Sequence, residues 1–373
     1  MRFMAGMHTF VVLCLFAGVS STLMAEEVAA GTADTQGVRE RTSTSTSSFD
    51  RAVAVGEEMP RLHSLLVSLR GQLVLERYFN GFGPDDLANV KSVSKSIVSA
   101  LVGIAIQQGY ISRVDAQIGE YFAEELASEL EPKKSKITVE NLLTMQAGLR
   151  STSNENYGAW ISTDNWVESA LSQPLETLPG TQMQYSTGDS HLLSAILTQA
   201  TGRSTLEFAR AVLAEPLGFT LSPWPRDPQG IYVGGNDMEL TPRQLLAFGE
   251  LYLNGGRAGG REIVPAAWVD ASLRPQAKSP LGEDRYYGYG WWTCTLGGQT
   301  APHAWGYGGQ FVVLVPALDL VIVTTSSSDP DAAAHDHANH VYQLLHYIVE
   351  SMSAARSSKT SSEYYANGVL ARP

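Results

Sequence analysis

One stretch constrains this chain more than any other. Between Ser92 and Gln108 the residues Val93, Ile97, Val98, Leu101, Val102, Ile104 and Ala105 leave almost no polar stripe. A helix that is apolar nearly all round has to be enclosed by the rest of the protein. Gly109 marks its end. Yet the helix carries Lys95 close to its start, where a charged amine is costly to bury. A lysine in such a place needs a reason, and chemistry is one.

The flanking patterns say what encloses this helix. Before it, Leu65, Val67 and Leu69 alternate up to a turn at Arg70-Gly71, and Leu73 and Leu75 resume the alternation. That predicts a β-hairpin with one face buried. Residues 112–285 read as mostly helical pieces and long loops, with helices over His191–Gln199 and Pro242–Leu253. The β pattern then returns. Tyr287–Trp292 reads as one strand, and the β-branched runs Phe311–Val315 and Leu318–Thr325 read as a hairpin. A helix over residues 332–349 closes the pattern. The order is strands, buried helix, large helical insertion, strands, helix. It predicts an α/β (α+β) fold: one antiparallel sheet flanked by helices, with a mainly helical inserted domain. The sheet domain takes residues 61–111 and 286–352, the helical domain 112–285, and 353–373 form a tail.

The ends of the chain read differently. Arg2 is the only charged side chain before Glu26, an apolar run covers Phe10–Val19, and small residues lead to Ala25. Residues 1–25 therefore read as a secretory signal, too short in its apolar part to span a membrane. Cys14 follows a bulky Leu13, which does not suit a lipid-attachment site. The Ser/Thr run Thr42–Ser48 marks residues 26–60 as a flexible leader. An exported protein is expected, periplasmic or fully secreted. Only Cys294 follows the signal, so no internal disulfide is available. The net charge of −12 repels phosphate backbones and excludes nucleic acid as a partner.

Three segments could carry chemistry. In Ser92-Val93-Ser94-Lys95 the i, i+3 spacing lets the lysine amine reach the serine hydroxyl on one helical face. A serine hydroxyl is a weak nucleophile and needs a base. A lysine serves only if desolvation keeps it neutral, which the apolar helix offers. In the loop Pro179–Gly188, Tyr185 could present its phenol to the same pair and pass protons. In Ala304-Trp305-Gly306-Tyr307-Gly308-Gly309-Gln310 the glycines let a strand edge approach a ligand and offer an N–H to an oxyanion. The bland alternatives are a chance Ser-x-x-Lys, a structural tyrosine and a twisted strand or bulge.

Taken in order, with Leu142–Leu149 and Tyr287–Trp292 around them, these segments resemble the serine β-lactamase-like, penicillin-binding superfamily. The resemblance runs from about Leu62 to Ser328 and is nearest to the branch of 6-aminohexanoate-dimer hydrolases, carboxylesterases and class C-like enzymes. It implies that Ser92 attacks a carbonyl and forms an acyl-enzyme, with Lys95 and Tyr185 moving its proton. Either of the two would serve as base for the releasing water. The oxyanion would sit between the N–H groups of Ser92 and Tyr307, beside Gly306, and Trp305 would wall the substrate. Two departures from the family pattern stand out. Thr187 occupies the place of a frequent asparagine, and the third segment has no lysine to hold a substrate carboxylate. His303 is near but is ordinarily neutral at pH 7. The expected substrate is therefore a small-molecule amide, ester or peptide. The alternatives are a D,D-peptidase or weak β-lactamase, and a non-catalytic scaffold of the same fold.

No cofactor is expected. His335, His337 and His340 match no zinc spacing, and their Asp and Asn neighbours suit the cap of a helix. Tyr157, Trp160 and Trp166 could wall a cleft or simply pack in a core.

Overall fold

A computed structural model describes residues 43–127, 131–331 and 333–368. The expected signal at residues 1–25, with Cys14, and the first part of the leader lie outside the described residues.

Ten α-helices are defined there: α1 (Ser43–Glu57), α2 (Ser94–Gln107), α3 (Val139–Leu143), α4 (Tyr157–Ile161), α5 (Trp166–Leu171), α6 (Thr187–Thr201), α7 (Thr205–Ala209), α8 (Pro242–Leu253), α9 (Ala266–Leu273) and α10 (Ala333–Gly368). The strands are β1 (Leu62–Leu69), β2 (Gln72–Tyr78), β3 (Ala88–Asn89), β4 (Glu239–Leu240), β5 (Arg257–Ala258), β6 (Arg261–Glu262), β7 (Ala277–Lys278), β8 (Tyr286–Tyr287), β9 (Trp292–Leu296), β10 (Gln299–Gly306), β11 (Gln310–Val315) and β12 (Leu320–Ser326). Eight of them form one antiparallel sheet in the order β2-β1-β12-β11-β10-β9-β8-β7. The α/β class with an antiparallel sheet and flanking helices is thus the architecture of the protein. The chain's first and last strands meet at β1 and β12, with Leu65 opposite Thr324 and Val67 opposite Ile322.

The sheet separates two apolar layers. On one face α1 and α10 pack over Leu65, Val67, Phe311, Val313 and Ile322. On the other, α2 and α8 pack over Leu66, Val312, Leu314 and Val321, and this core continues into the helical layer through α6 and α9. The predicted buried helix lies there: every residue from Ser94 to Ala105 is buried. Burying that many aliphatic side chains contributes roughly 1.5–3 kcal/mol each, which is what holds Lys95 in place against its preference for water.

Several sequence expectations change on contact with the fold. The leader is not flexible over Ser43–Glu57: it is a helix, with Phe49, Ala52 and Val53 set against α10 and β1. Their i, i+3, i+4 spacing makes the apolar stripe, but the Ser/Thr run beside it obscures the pattern. Residues 353–368 of the expected tail continue α10. The β1–β2 hairpin turns at Arg70-Gly71, both at positive φ, yet β1 is covered on both faces rather than one. Its Ser64 and Ser68 are satisfied by Thr325 Oγ1 and Glu250, both at 2.6 Å. The expected strand Tyr287–Trp292 is interrupted after Tyr287 by a loop through Gly290. Finally, α8 and β7, placed in the helical insertion by their sequence position, pack on or pair with the sheet.

The docking of α1 generates a test. Ala52 is fully buried in the α1–α10 layer. Ala52→Asp, which puts a carboxylate there, should cost at least about 2 kcal/mol. Urea unfolding of the two proteins checks this; an unchanged midpoint would mean that α1 is not part of the folded unit.

Candidate active site

Ser92 lies in a short 3-10 turn, Lys91–Val93, that leads directly into α2. The turn is held from below. Val90 N–H donates to the Met238 carbonyl at 2.9 Å, and the Ser94 hydroxyl donates to the Lys91 carbonyl at 2.6 Å. Ser92 itself is half-buried. One helical turn on, Lys95 is only 3% exposed. Its Nζ lies 3.2 Å from Ser92 Oγ, 2.6 Å from the Gly235 carbonyl and 3.3 Å from Thr187 Oγ1. A Cβ at Gly235 would sit 2.9 Å from Lys95 Nζ and 3.0 Å from Ser190 Cβ, so a side chain there would push the amine out of place.

The protonation state follows from these neighbours. Burial pushes Lys95 down to about 7, against support from Asp189 and Asp237. Asp189, in the first turn of α6, is itself 3% exposed, and burial pushes it up to about 8. Burial thus favours the neutral form of both groups, while their mutual attraction opposes it. A neutral amine has two N–H donors and one lone pair. The Gly235 carbonyl can only accept one of these N–H groups, whereas the hydroxyls of Thr187 and Ser92 can each accept the other or donate to the lone pair.

Tyr185 comes from the loop before α6. Its carbonyl accepts from Ser151 Oγ at 2.6 Å, and the neighbouring Gln184 N–H reaches the Met145 carbonyl at 2.7 Å. The Lys95 amine lies 4.9 Å from the centre of its ring, and its phenol meets the Ser92 side chain. Burial pushes that phenol above its ordinary value, so it stays protonated at neutral pH. Thr187 is backed by Ser153, whose Oγ lies 2.9 Å from Thr187 Oγ1 and accepts its N–H at 2.8 Å.

The third segment forms the other wall. Gly306 ends β10 against the Lys91–Val93 turn, and a Cβ there would come 2.3 Å from the Val90 carbonyl. Tyr307 follows immediately. Its ring packs edge-on to His335 at 5.8 Å, and its carbonyl accepts from Gln310 Nε2 at 3.4 Å. Trp305 is edge-on to Trp292 at 5.8 Å, and Trp292 stacks on Tyr185 at 5.7 Å. His303 is buried, its Nδ1–H donating to the Ala301 carbonyl at 3.0 Å. Burial pushes it down to about 4, so it is neutral and supplies no cation.

Ser92, Lys95, Tyr185 and Thr187 thus converge, with Gly306 against the same turn and Trp305 reached through Trp292. Sequence reasoning missed Ser153, Gly235 and Asp189. Ser153 and Gly235 lie on loops with no pattern, although Asp189 stood four residues after Tyr185 and was visible. The other aromatics divide. Trp160 is a core residue between Trp166 and His191, whereas the Tyr157 hydroxyl accepts from Asn236, next to Gly235. His337 pairs with Ser326 Oγ at 2.9 Å, and among the described residues no group of three or more His, Cys, Asp or Glu could hold a metal.

Residues 60–347 match the beta-lactamase family, and the chain belongs to that family. It is 28% identical over 295 residues to 6-aminohexanoate-dimer hydrolase of Paenarthrobacter ureafaciens, covering 70% of this chain and 72% of that protein. Two solved structures share the fold. A penicillin-binding protein homologue from Caulobacter crescentus superposes with a TM-score of 0.65 at 16% identity, over 86% of this chain and 99% of its own. A family VIII carboxylesterase gives a TM-score of 0.61 at 18% identity, over 83% and 99%.

A pH profile tests the site. If the Lys95 amine takes the Ser92 proton, the rate of acylation by a p-nitrophenyl ester should rise with pH through about 7 and level off above it. An acid limb near the ordinary lysine value of 10.5 would show that burial does not free the amine, and a limb that stays in place in Lys95→Met would remove Lys95 from that role.

Proposed function

We propose that the protein is a serine hydrolase that cleaves a small amide or ester through an acyl-serine intermediate. The observation that carries this reading is the buried Lys95 amine held 3.2 Å from Ser92 Oγ, with the Gly235 carbonyl 2.6 Å away to take one of its N–H groups. Ser92 Oγ adds to the substrate carbonyl as its proton passes to Lys95. The oxyanion sits between the Ser92 and Tyr307 N–H groups. The Tyr185 hydroxyl gives its proton to the leaving nitrogen or oxygen as that bond breaks, and is reprotonated from Lys95. Water then adds to the acyl carbon, losing its proton to Lys95, and Ser92 leaves with a proton restored. Lys95 rather than Tyr185 is the base in both halves, because burial keeps the phenol protonated.

The substrate class rests on two supports. The relatives named above include an amide hydrolase and a carboxylesterase. The third segment also opens on Ala304, with no lysine to grip a carboxylate, and the neighbouring His303 is neutral. Export belongs to the same reading, on the strength of Arg2, the apolar run and the small residues before Glu26.

Intact mass spectrometry after exposure to a fluorophosphonate, a p-nitrophenyl acyl ester and a penicillin tests the proposal. The first two should leave one adduct each, absent in Ser92→Ala, which should stay folded. Lys95→Met should slow adduct formation by about 10²–10⁴-fold. A stable penicillin adduct would replace the reading with a penicillin-binding peptidase, and no adduct with any probe would replace it with a non-catalytic scaffold.

A further inference from the structure

The nucleophile and its base are joined by more than the helix that carries both. The segment before α2 and the loop before β4 are laced together over their whole length. Strands β3 and β4 pair Ala88 with Leu240 and Asn89 with Glu239. Val90 N–H donates to the Met238 carbonyl, and Met238 N–H donates to Ser94 Oγ at 3.3 Å. Between these contacts lies an ion pair. Lys91 Nζ is 3.0 Å from Asp237 Oδ1, with the two side chains 21% and 22% exposed. The same Asp237 oxygen accepts from Asn89 Nδ2 at 2.9 Å, and Asn89 Oδ1 accepts the Lys91 N–H at 3.1 Å.

Both members of the pair are conformationally unusual. Lys91 has φ 48° and Asp237 has φ 62°, the left-handed region that side-chain-bearing residues rarely adopt. Lys91 immediately precedes Ser92, and Asp237 comes two residues after Gly235, whose carbonyl holds Lys95. A residue kept in such a conformation persists only where its surroundings over-determine it. Here the surroundings are the ion pair and the Asn89 bridge.

We infer that the Lys91–Asp237 ion pair is a positioning device, which locks the nucleophile turn onto the loop that orients the base and offsets part of the Asp237 charge that acts on Lys95. The inference rests on the reading of Ser92 and Lys95 given above. The ionisable groups whose charges reach Lys95 are Asp189 on α6 and Asp237 on the loop, and the Tyr185 ring faces it. Tyr157 faces the far side of the loop through Asn236. Of these two carboxylates, Asp237 is the one with a cation bound to it among the described residues, so Lys91, together with the Asn89 amide on the same oxygen, sets how much of that negative charge Lys95 feels.

The two halves of the pair should therefore act on the base with opposite sign. Lys91→Met leaves Asp237 uncompensated, which favours the ammonium and raises the acid limb of acylation. Asp237→Asn removes the carboxylate and leaves a cation, which lowers the limb. Each shift should be about half a pH unit. Lys91→Met should also cost roughly tenfold in the high-pH rate, as the turn loosens. Lys91→Arg should keep both limb and rate close to the parent.

The experiment is the pH dependence of phosphonylation by a fluorophosphonate, followed by intact mass, with Ser92→Ala as control and thermal unfolding of each variant. Opposed shifts with an Arg rescue support the inference. Limbs that stay in place, or move together, while labelling still requires Ser92, overturn the inference and leave the serine hydrolase reading intact. Labelling that persists in Ser92→Ala overturns both. If Lys91→Met does not fold, Asp237→Asn against Lys91→Arg decides by the same limb.

Discussion

The arrangement depends on keeping one amine out of water. Lys95 sits on a helix buried from Ser94 to Ala105, and among the described residues its Nζ has three polar neighbours at hydrogen-bonding distance. In water the ammonium would win by a wide margin. In an apolar enclosure the charged form loses its solvation, and a carbonyl and two hydroxyls replace only part of it. The enclosure thus supplies a free base near neutral pH with no added group. It also makes the site sensitive to any charge nearby, which is why Asp189 and Asp237 matter although neither touches Ser92.

Maintaining that enclosure is what much of the fold does. The sheet covers α2 from one side through β10, where Gly306 lets the strand meet the Val90 carbonyl. The helices α6 and α9 cover it from the other. The break after Tyr287 contributes as well. Gly290 N–H donates to Leu143, its carbonyl accepts from Ser96 Oγ at 2.6 Å, and a Cβ at that position would come 2.8 Å from the Lys95 carbonyl. A continuous strand over Tyr287–Trp292 would leave this gap unfilled. The loop closes it because glycine can take φ 77° where it touches the helix.

Legibility of the sequence followed the strength of its periodicity. The buried helix, the span Pro242–Leu253 and the β11–β12 pair were readable because their apolar residues recur without interruption. The helix at Ser43–Glu57 was not, since its stripe of Phe49, Ala52 and Val53 begins in a run of Ser and Thr that resembles a linker. The strand β1 was read as one-sided because Ser64 and Ser68 alternate with its aliphatics. Hydroxyls with partners at 2.6 Å can be buried, and no pattern of residue types shows that a partner will be there. The same limit hid Ser153 and Gly235, which act at the site through a hydroxyl and a carbonyl contributed by irregular loops.

By itself, the sequence determined that an all-apolar helix would be enclosed, that a serine and a lysine one turn apart would share one of its faces, and that strands from both ends of the chain would complete one sheet. These are local consequences of spacing: 3.6 residues per helical turn and two per strand repeat. Only the tertiary structure decided that Tyr185, Thr187 and Gly235 arrive around the same amine, and that Lys91 meets Asp237 across 146 residues. Those contacts join segments far apart in the chain, and their geometry is set by how the layers pack. So is the protonation of Lys95, because desolvation is a property of everything around the amine and of no residue on its own.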